Sequence, residues 1–202
     1  MNPIETKNVK ISVADPSAIG LLGLAVVTLV ASSQKLGITN DTALIIPWAI
    51  FLGACAQLYA SFNDMKLGKT FGATAFGAYG FFWLGVAMTW MIQNGVFGAS
   101  MASGADKHQL GFAFLGYLIF TLFMTYGAAS VSKILFIIFV LIDLLFIGLA
   151  LQTLAGLEFG RWLAGFSELA ISLCSFYGCG AAVLNDHFGR IVIPNGKPLI
   201  KK

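Results

Sequence analysis

Six long apolar stretches follow one another along the chain, and only short polar segments separate them. About 20 apolar residues are needed to cross a bilayer as a helix. A segment inside lipid must also satisfy its own backbone hydrogen bonds, which a helix does. The stretches lie at about 17–33, 42–62, 69–93, 109–130, 134–153 and 162–184. They predict an all-α integral membrane protein built as a bundle of six transmembrane helices.

The composition supports a membrane protein. Only 10% of the 202 residues are charged and 58% are hydrophobic, whereas about 25% of a soluble domain is charged. The net charge of +3 is too small to suggest nucleic acid as a partner, so the predicted partner is the lipid bilayer. We expect one six-helix domain over 15–188, with cytoplasmic tails at 1–14 and 189–202.

The distribution of Lys and Arg predicts the orientation of the chain. If six spans start from an inside N-terminus, nine of the twelve basic residues fall inside: Lys7, Lys10, Lys66, Lys69, Lys133, Arg190, Lys197, Lys201 and Lys202. The outside then carries Lys35, Lys107 and Arg161. Basic residues favour the cytoplasmic side. We therefore expect both termini in the cytoplasm and the protein in the plasma or inner cell membrane.

Enzyme chemistry finds little support. His108 and His187 have no Ser, Cys or carboxylate partner at a catalytic spacing, and the three cysteines match no metal or redox motif. We predict no catalytic residue, no metal site and no cofactor. Transport through a pore is the class that remains.

Glycine and aromatic residues alternate in the third stretch. Its glycines stand at Gly72, Gly77, Gly80 and Gly85, and aromatic side chains fill the intervals. In lipid, small residues allow helices to approach backbone to backbone. The pattern predicts a span that packs closely and shapes a passage.

Three polar side chains within the apolar stretches are candidates for a function: Asp143, Glu168 and Gln57. Asp143 and Glu168 are candidates for proton coupling, because an ionisable group in a span is costly and is often functional. Asp143 is also consistent with a protonated carboxyl that bonds a neighbouring helix or subunit, and Glu168 with a solvated position near the outer end of its span. Gln57 fits either an interhelical hydrogen bond or the lining of a pore.

The start of the first span admits two interpretations. Asp15-Pro16-Ser17 is a helix-start signal, with a capping carboxylate followed by proline. The free N–H groups of such a helix start can also hold an anion. Asp15 would oppose an anion close by, and both interpretations stay open.

Several motifs together resemble the acetate uptake transporter family, also called the succinate–acetate permeases. Residues 68–84 read Gly-Lys-Thr-Phe-Gly-Ala-Thr-Ala-Phe-Gly-Ala-Tyr-Gly-Phe-Phe-Trp-Leu and resemble its central signature. Gly-Ala-Cys-Ala-Gln at 53–57, Phe-Thr-Leu-Phe-Met at 120–124 and Val-Leu-Asn-Asp-His-Phe-Gly-Arg at 183–190, with Ile193-Pro194, resemble further family segments. Residues 15–22 occupy the place of the span 1 signature. The resemblance covers about 15–196.

The resemblance implies a homohexamer with one pathway per protomer. It implies passage of acetate and similar small carboxylates, either as an anion channel or as proton-linked transport. The constriction is expected at Leu24, Tyr79 and Ile142, and substrate selectivity at Ile142 and Ser175. The family often has phenylalanine at position 24 and leucine at 142, so a different gate size is expected. The span 1 motif departs at Asp15 and Ala18, which replace asparagine and proline.

Physical argument and resemblance lead to one mechanism. The substrate carboxylate would be held by hydroxyls and helix N–H groups, and it would lose water in an aliphatic and aromatic neck. The substrate-binding residues we expect are Asp15, Pro16, Ser17, Ala18, Ile19, Gly20, Gln57, Thr74 and Tyr79. The alternative functions are a channel for small neutral solutes, such as undissociated weak acids or ammonia, and a membrane protein without flux.

Overall fold

The computed structural model describes residues 14–201, and every regular element within that range is helical. The predicted N-terminal tail, 1–14, lies outside the described residues except for its last position. The elements are α1 (Ser17–Lys35), α2 (Ile46–Trp48), a π-helical segment (Ala49–Ala56), α3 (Gln57–Lys66), α4 (Thr70–Gln93), α5 (Ala99–Gly104), α6 (Lys107–Ala128), α7 (Lys133–Ala155) and α8 (Glu158–Phe188). The predicted all-α class is confirmed.

Within residues 14–201, five helices are long and apolar enough to cross a membrane: α1, α4, α6, α7 and α8. Their ends differ from the predicted ones by no more than four residues. Local signals, rather than the ends of the apolar stretches, determine where the helices end. Gly156 (φ 65°) ends α7 and Gly189 (φ 61°) ends α8, in a left-handed conformation that glycine adopts without strain.

The second apolar stretch departs most from the prediction. Its helical path covers 46–66 rather than 42–62. Asp41 has a φ of 53° and its carboxylate accepts a hydrogen bond from the Ala43 N–H at 2.9 Å, which holds a turn before the helix starts. The chain then winds as a π-helix over Ala49–Ala56 and returns to α-helical geometry at Gln57. Such π-helical turns often occur at functional sites.

The long helices pack in a ring that follows chain order. The segment 46–66 packs between α1 and α4, and α8 packs between α1 and α7. Helix α6 packs on α7, and α4 meets α6 to close the ring, less closely than the other neighbours meet. Every pair of neighbours around the ring is adjacent in the chain except α1 and α8, which join its first and last members.

Glycines set the distance between several of these helices. In α4, an added Cβ at Gly80 would lie 2.8 Å from Leu58, whereas one at Gly85 would have no atom of another described element within 4 Å. An added Cβ at Gly148 of α7 would lie 2.7 Å from backbone atoms of Gly160 and Ala164 in α8. The glycine pattern thus corresponds to close helix packing at most, but not all, of its positions.

The segment after α8 folds back on the bundle. The Asn185 carboxamide oxygen accepts hydrogen bonds from the N–H groups of Val192 and Ile193, and its Nδ2 donates to the Ile193 carbonyl. The Leu199 N–H donates to the Ala129 carbonyl at 2.8 Å. These bonds hold the described part of the predicted C-terminal tail against the turn between α6 and α7.

Candidate functional site

Two cavities enter the bundle from opposite ends. The N-terminal cavity, of about 550 Å³, is lined by the first halves of α1, α4 and α7. The basic cavity, of about 590 Å³, is lined by the second halves of the same three helices and by the starts of α6 and α8. Helices α1, α4 and α7 therefore run in one direction, from the N-terminal cavity towards the basic cavity.

A thin apolar layer separates the cavities. On α4, Tyr79 lines the N-terminal cavity, and Phe82 lines the basic cavity. On α7, Ile142 and Leu145 divide in the same way. Three residues of an α-helix advance about 4.5 Å along its axis. The two cavities thus stop about one helical turn apart.

The predicted constriction residues lie in the wall of one cavity. Leu24 from α1, Tyr79 from α4 and Ile142 from α7 all line the N-terminal cavity, and each is less than a tenth exposed. We call these three side chains the apolar layer. Phe82 and Trp83 of α4 follow it on the side of the basic cavity.

Tyr79 is fixed by both its ring and its hydroxyl. Its ring centroid lies 6.0 Å from that of Phe120 and 6.0 Å from that of Phe139. Its hydroxyl lies 2.9 Å from the Thr121 hydroxyl of α6. This side chain has little freedom to move without disturbing α6.

Gln57 is a buried polar group in the N-terminal cavity. It follows the π-helical segment directly, is 1% exposed and lines this cavity. Its Nε2 donates to the Gly53 carbonyl at 2.8 Å, and its Oε1 has no partner among the described residues. The carboxamide is therefore incompletely satisfied.

The other predicted binding residues divide between the cavity wall and its surroundings. Asp15 and Ser17 line the N-terminal cavity, and the Asp15 carboxylate accepts a hydrogen bond from the Ser17 N–H at 3.1 Å. Thr74 is exposed on α4 and lines neither cavity. The remaining members of the set also lie outside both linings: Pro16, Ala18, Ile19 and Gly20.

Charged groups stand around the mouth of the N-terminal cavity. Lys69 Nζ lies 3.8 Å from an oxygen of Asp15 and 3.9 Å from one of Asp64. Asp64 is 2% exposed, and its Oδ1 has no hydrogen-bond partner in the described chain. With two carboxylates and one ammonium, these three groups carry a net negative charge when ionised.

The basic cavity has the opposite charge. Lys35, Lys107 and Arg161 line it with one carboxylate, Glu168. Lys35 Nζ donates to Glu168 Oε2 at 2.9 Å, and Glu168 is 2% exposed. Glu168, a predicted proton-coupling candidate, is therefore ion-paired in a cavity wall. The Lys35–Glu168 pair also joins α1 to α8.

Lys107 stands at the mouth of the basic cavity because α6 begins there. Asp106 caps this helix, and its carboxylate accepts hydrogen bonds from the His108 N–H at 2.9 Å and from His108 Nδ1 at 2.8 Å. These hydrogen bonds lower the pKa of the Asp106 carboxyl, and the bond from the backbone N–H of His108 has the largest effect. His108 belongs to the first turn of α6 rather than to a loop.

Two other predicted residues lie away from both cavities. Asp143 is 8% exposed on α7, and its Oδ2 lies 2.7 Å from the Thr125 hydroxyl of α6. Ser175 of α8 is fully buried, and its hydroxyl has no partner among residues 14–201. Neither residue lines the N-terminal cavity or the basic cavity.

Sequence reasoning missed most of the charged lining. Lys35, Lys69, Lys107 and Arg161 entered the prediction only as markers of orientation, and Asp64 did not enter it. The signal that could have identified them is their position next to the ends of the apolar stretches. Which helix ends converge on one cavity follows from packing.

Helices that bury two opposed cavities, separated by a short apolar layer, define a multi-pass membrane protein of the channel or transporter class. A family model described as "GPR1/FUN34/yaaH family" matches residues 1–197. The chain belongs to this family. The predicted family resemblance is confirmed.

Three relatives are informative. The succinate-acetate/proton symporter SatP of Escherichia coli K12 is 34% identical over 91% of this chain and 96% of its own. The ammonia transport outward protein 2 of Saccharomyces cerevisiae is 31% identical over 89% of this chain and 65% of its own. A solved structure, titled as the bacterial acetate channel SatP, superposes with a TM-score of 0.85 at 30% identity, covering 92% of this chain and all of that chain.

Proposed function

We propose that this protein carries acetate and related small carboxylates across a membrane through the two cavities and the apolar layer between them. The observation that carries the proposal is the meeting of the cavities within one helical turn at Leu24, Tyr79 and Ile142. The relatives named for acetate support the substrate class. An anion channel and a proton-linked transporter are the two forms of this proposal.

In the N-terminal cavity, the substrate carboxylate would meet few donors. Ser17 offers a hydroxyl at the start of α1, Gln57 offers its carboxamide, and Tyr79 borders the layer. The first turn of α1, over Pro16–Gly20, would add the field of the helix start. The Asp15 carboxylate already takes the Ser17 N–H and carries the same charge as acetate. Binding here is expected to be weak, which suits passage.

In the basic cavity, the cationic side chains would gather anions from solution. Charged clefts with one dominant sign raise the local concentration of the opposite ion. At the apolar layer the carboxylate would lose most of its water, and protonation to the neutral acid would lower that barrier. For proton-linked transport, Glu168 lies in a cavity wall where protons can reach it, whereas Asp143 lies outside both linings.

The test is flux in liposomes that contain the purified protein. Labelled acetate uptake is measured with and without an imposed pH gradient, and empty liposomes correct for free diffusion of acetic acid. Flux above that background supports carboxylate transport. Strict dependence on the proton gradient selects the proton-linked form, and an acetate current without it selects the channel. Uptake equal to that of empty liposomes contradicts the proposal.

A second candidate function is a channel for small neutral solutes, ammonia among them. The yeast relative named for ammonia transport supports it, and the apolar layer would pass a neutral molecule more readily than an ion. A planar bilayer separates the candidates: a current that reverses with the acetate gradient supports carboxylate anions. Ammonia flux without any acetate current supports the alternative.

We also propose that 46–66 is a sixth span. At 1.5 Å per residue an α-helix of this length would reach roughly 30 Å, the thickness of a hydrocarbon core. Six spans put both termini on one side, which the basic residues favour as cytoplasmic, in the plasma or inner membrane. Many large side chains are exposed on the bundle's outside, including Phe51, Phe62, Phe81 and Phe123. They support contact with lipid and with further copies of the chain, as in the expected hexamer.

A further inference from the structure

We infer that α6 sets the width of the apolar layer, although it contributes no side chain to it, and that Asp143 is a positioning residue whose carboxyl is neutral. The inference rests on the proposed function for its consequence, which is selectivity by size. The geometric basis of the inference is a pair of hydroxyls on α6, those of Thr121 and Thr125. These residues are four apart and lie on one face of the helix.

The bond between Tyr79 and Thr121 has a definite direction. Thr121 Oγ1 lies 2.7 Å from the Tyr117 carbonyl, which can only accept, so the single Thr121 proton is used there. Tyr79 must then donate its own proton to Thr121 Oγ1, at 2.9 Å. The phenol of the apolar layer is thereby engaged by α6, and its ring is held in place.

Thr125 also has a single hydroxyl proton, and two oxygens lie within its reach. Its hydroxyl lies 3.0 Å from the Thr121 carbonyl and 2.7 Å from Asp143 Oδ2. If the one Thr125 proton goes to the carbonyl, Asp143 Oδ2 must be the donor, which requires a protonated carboxyl. Asp143 and Tyr79 then each donate a hydrogen bond to a threonine hydroxyl of α6. Thr125 and Thr121 in turn donate to carbonyls one turn earlier in α6, those of Thr121 and Tyr117.

The surroundings of Asp143 favour the neutral form. It is 8% exposed, and none of the ion pairs among the described residues includes it. Its Oδ1 has no hydrogen-bond partner within residues 14–201. A carboxylate would leave that oxygen charged and unpaired in an apolar interior, at a cost of several kcal/mol. A carboxylic acid leaves only a carbonyl oxygen there.

The consequence concerns two of the three side chains in the layer. Tyr79 is bonded to Thr121, and Ile142 directly precedes Asp143, which is bonded to Thr125. One face of α6 therefore fixes Tyr79 from α4 relative to Ile142 from α7. The bond from Tyr79 is especially important for holding α4 against α6, because these two helices pack less closely than the other neighbours in the ring. Loss of the Asp143–Thr125 bond should let α7 shift and widen the layer.

The experiment compares uptake of lactate with uptake of acetate in liposomes. Asp143→Leu and Thr125→Val remove the bond, and we expect the lactate-to-acetate ratio to rise about fivefold, which corresponds to ~1 kcal/mol in relative barriers. Asp143→Asn and Thr125→Ser keep a donor and a hydroxyl and should leave the ratio unchanged. Thr28→Val is the matched control, since that buried hydroxyl bonds only carbonyls of its own helix, α1. Thermal unfolding of each variant confirms that it folds.

Three outcomes overturn the inference. The first is an unchanged lactate-to-acetate ratio in Asp143→Leu and Thr125→Val. The second is the loss of proton-linked flux in Asp143→Asn, which would make Asp143 a proton carrier. The third needs no flux: the infrared spectrum at neutral pH, with Asp143→Asn subtracted, should show the C=O stretch of a protonated carboxyl, and its absence contradicts the neutral form. A wild-type protein without carboxylate flux defeats the proposed function, while the infrared measurement still decides the state of Asp143.

Discussion

Tyr79 fills the layer between the cavities with a ring that contacts Phe120 and Phe139. Replacing it with alanine removes most of that ring and its bond to Thr121. We expect Tyr79→Ala to raise lactate uptake about tenfold, a change equal to about 1.4 kcal/mol in barrier height, with a smaller rise for acetate. The measurement is labelled uptake of both acids in liposomes.

The control for Tyr79→Ala is Phe123→Ala, which truncates an aromatic residue that is 75% exposed on the outside of α6. Its uptake should match that of the wild type. Unchanged uptake of both acids in Tyr79→Ala, with normal folding, would remove this residue from the gate.

Among residues 14–201, Glu168 is the only carboxylate in the lining of the basic cavity. Its replacement by glutamine leaves Lys35 without its partner and makes the cavity more positive. We expect Glu168→Gln to lower the acetate concentration for half-maximal uptake about threefold at low salt, with a smaller effect at high salt because ions screen the added charge. Breaking this buried pair should also lower the thermal unfolding midpoint.

Asp186→Asn is the matched control for this charge change. Asp186 lies in the same helix and is exposed, none of the ion pairs among residues 14–201 includes it, and it lines neither cavity. It should change neither the half-maximal concentration nor its dependence on salt. Equal behaviour of the two variants would mean that Glu168 does not shape the charge of the cavity.

At the scale of the helices, backbone contact makes some glycines irreplaceable. A Cβ at Gly148 would meet the Gly160 carbonyl oxygen and the Ala164 nitrogen at 2.7 Å each, and a helix backbone cannot yield as a side chain can. We expect Gly148→Ala to destabilise the fold by about 1–3 kcal/mol, the usual cost of overpacking. Thermal unfolding in detergent measures it.

Gly85→Ala tests whether the effect comes from packing. Gly85 is also in the interior of a long helix, but no atom lies within 4 Å of an added Cβ. Alanine should be neutral or slightly stabilising there. Destabilisation of the same size at both positions would contradict the packing argument.

Hydropathy predicted the elements well because each long helix is a nearly uniform apolar stretch. It failed at 42–45, where the Asp41 turn delays the helix, and it gave no sign of the π-helical segment, which is as apolar as its surroundings. The constriction residues were predicted from the family resemblance, and the structure shows that they line one cavity wall. The Asp143–Thr125 bond was out of reach, since it depends on how α6 and α7 are rotated against each other.

At the scale of the whole molecule, the two ends of the bundle differ in charge. The basic cavity opens at the end that holds Lys35, Lys107 and Arg161, whereas Lys66, Lys69 and Lys133 stand where α3 ends and where α4 and α7 begin, at the end of the N-terminal cavity. From the positive-inside rule we predict that this second end is cytoplasmic. The basic cavity would then face outwards, where it would collect carboxylates for uptake.

Thiol labelling of intact cells tests this orientation. In a chain whose cysteines, Cys55, Cys174 and Cys179, are replaced by alanine, Ser100→Cys is introduced in α5 and Lys197→Cys after α8; both positions are exposed. A thiol reagent that cannot cross membranes should label Ser100→Cys in intact cells and Lys197→Cys only after permeabilisation. The reverse pattern would invert the molecule and turn the basic cavity inwards. Labelling of both in intact cells would put positions 100 and 197 on the same side, so that α6, α7 and α8, which lie between them, could not all cross the membrane.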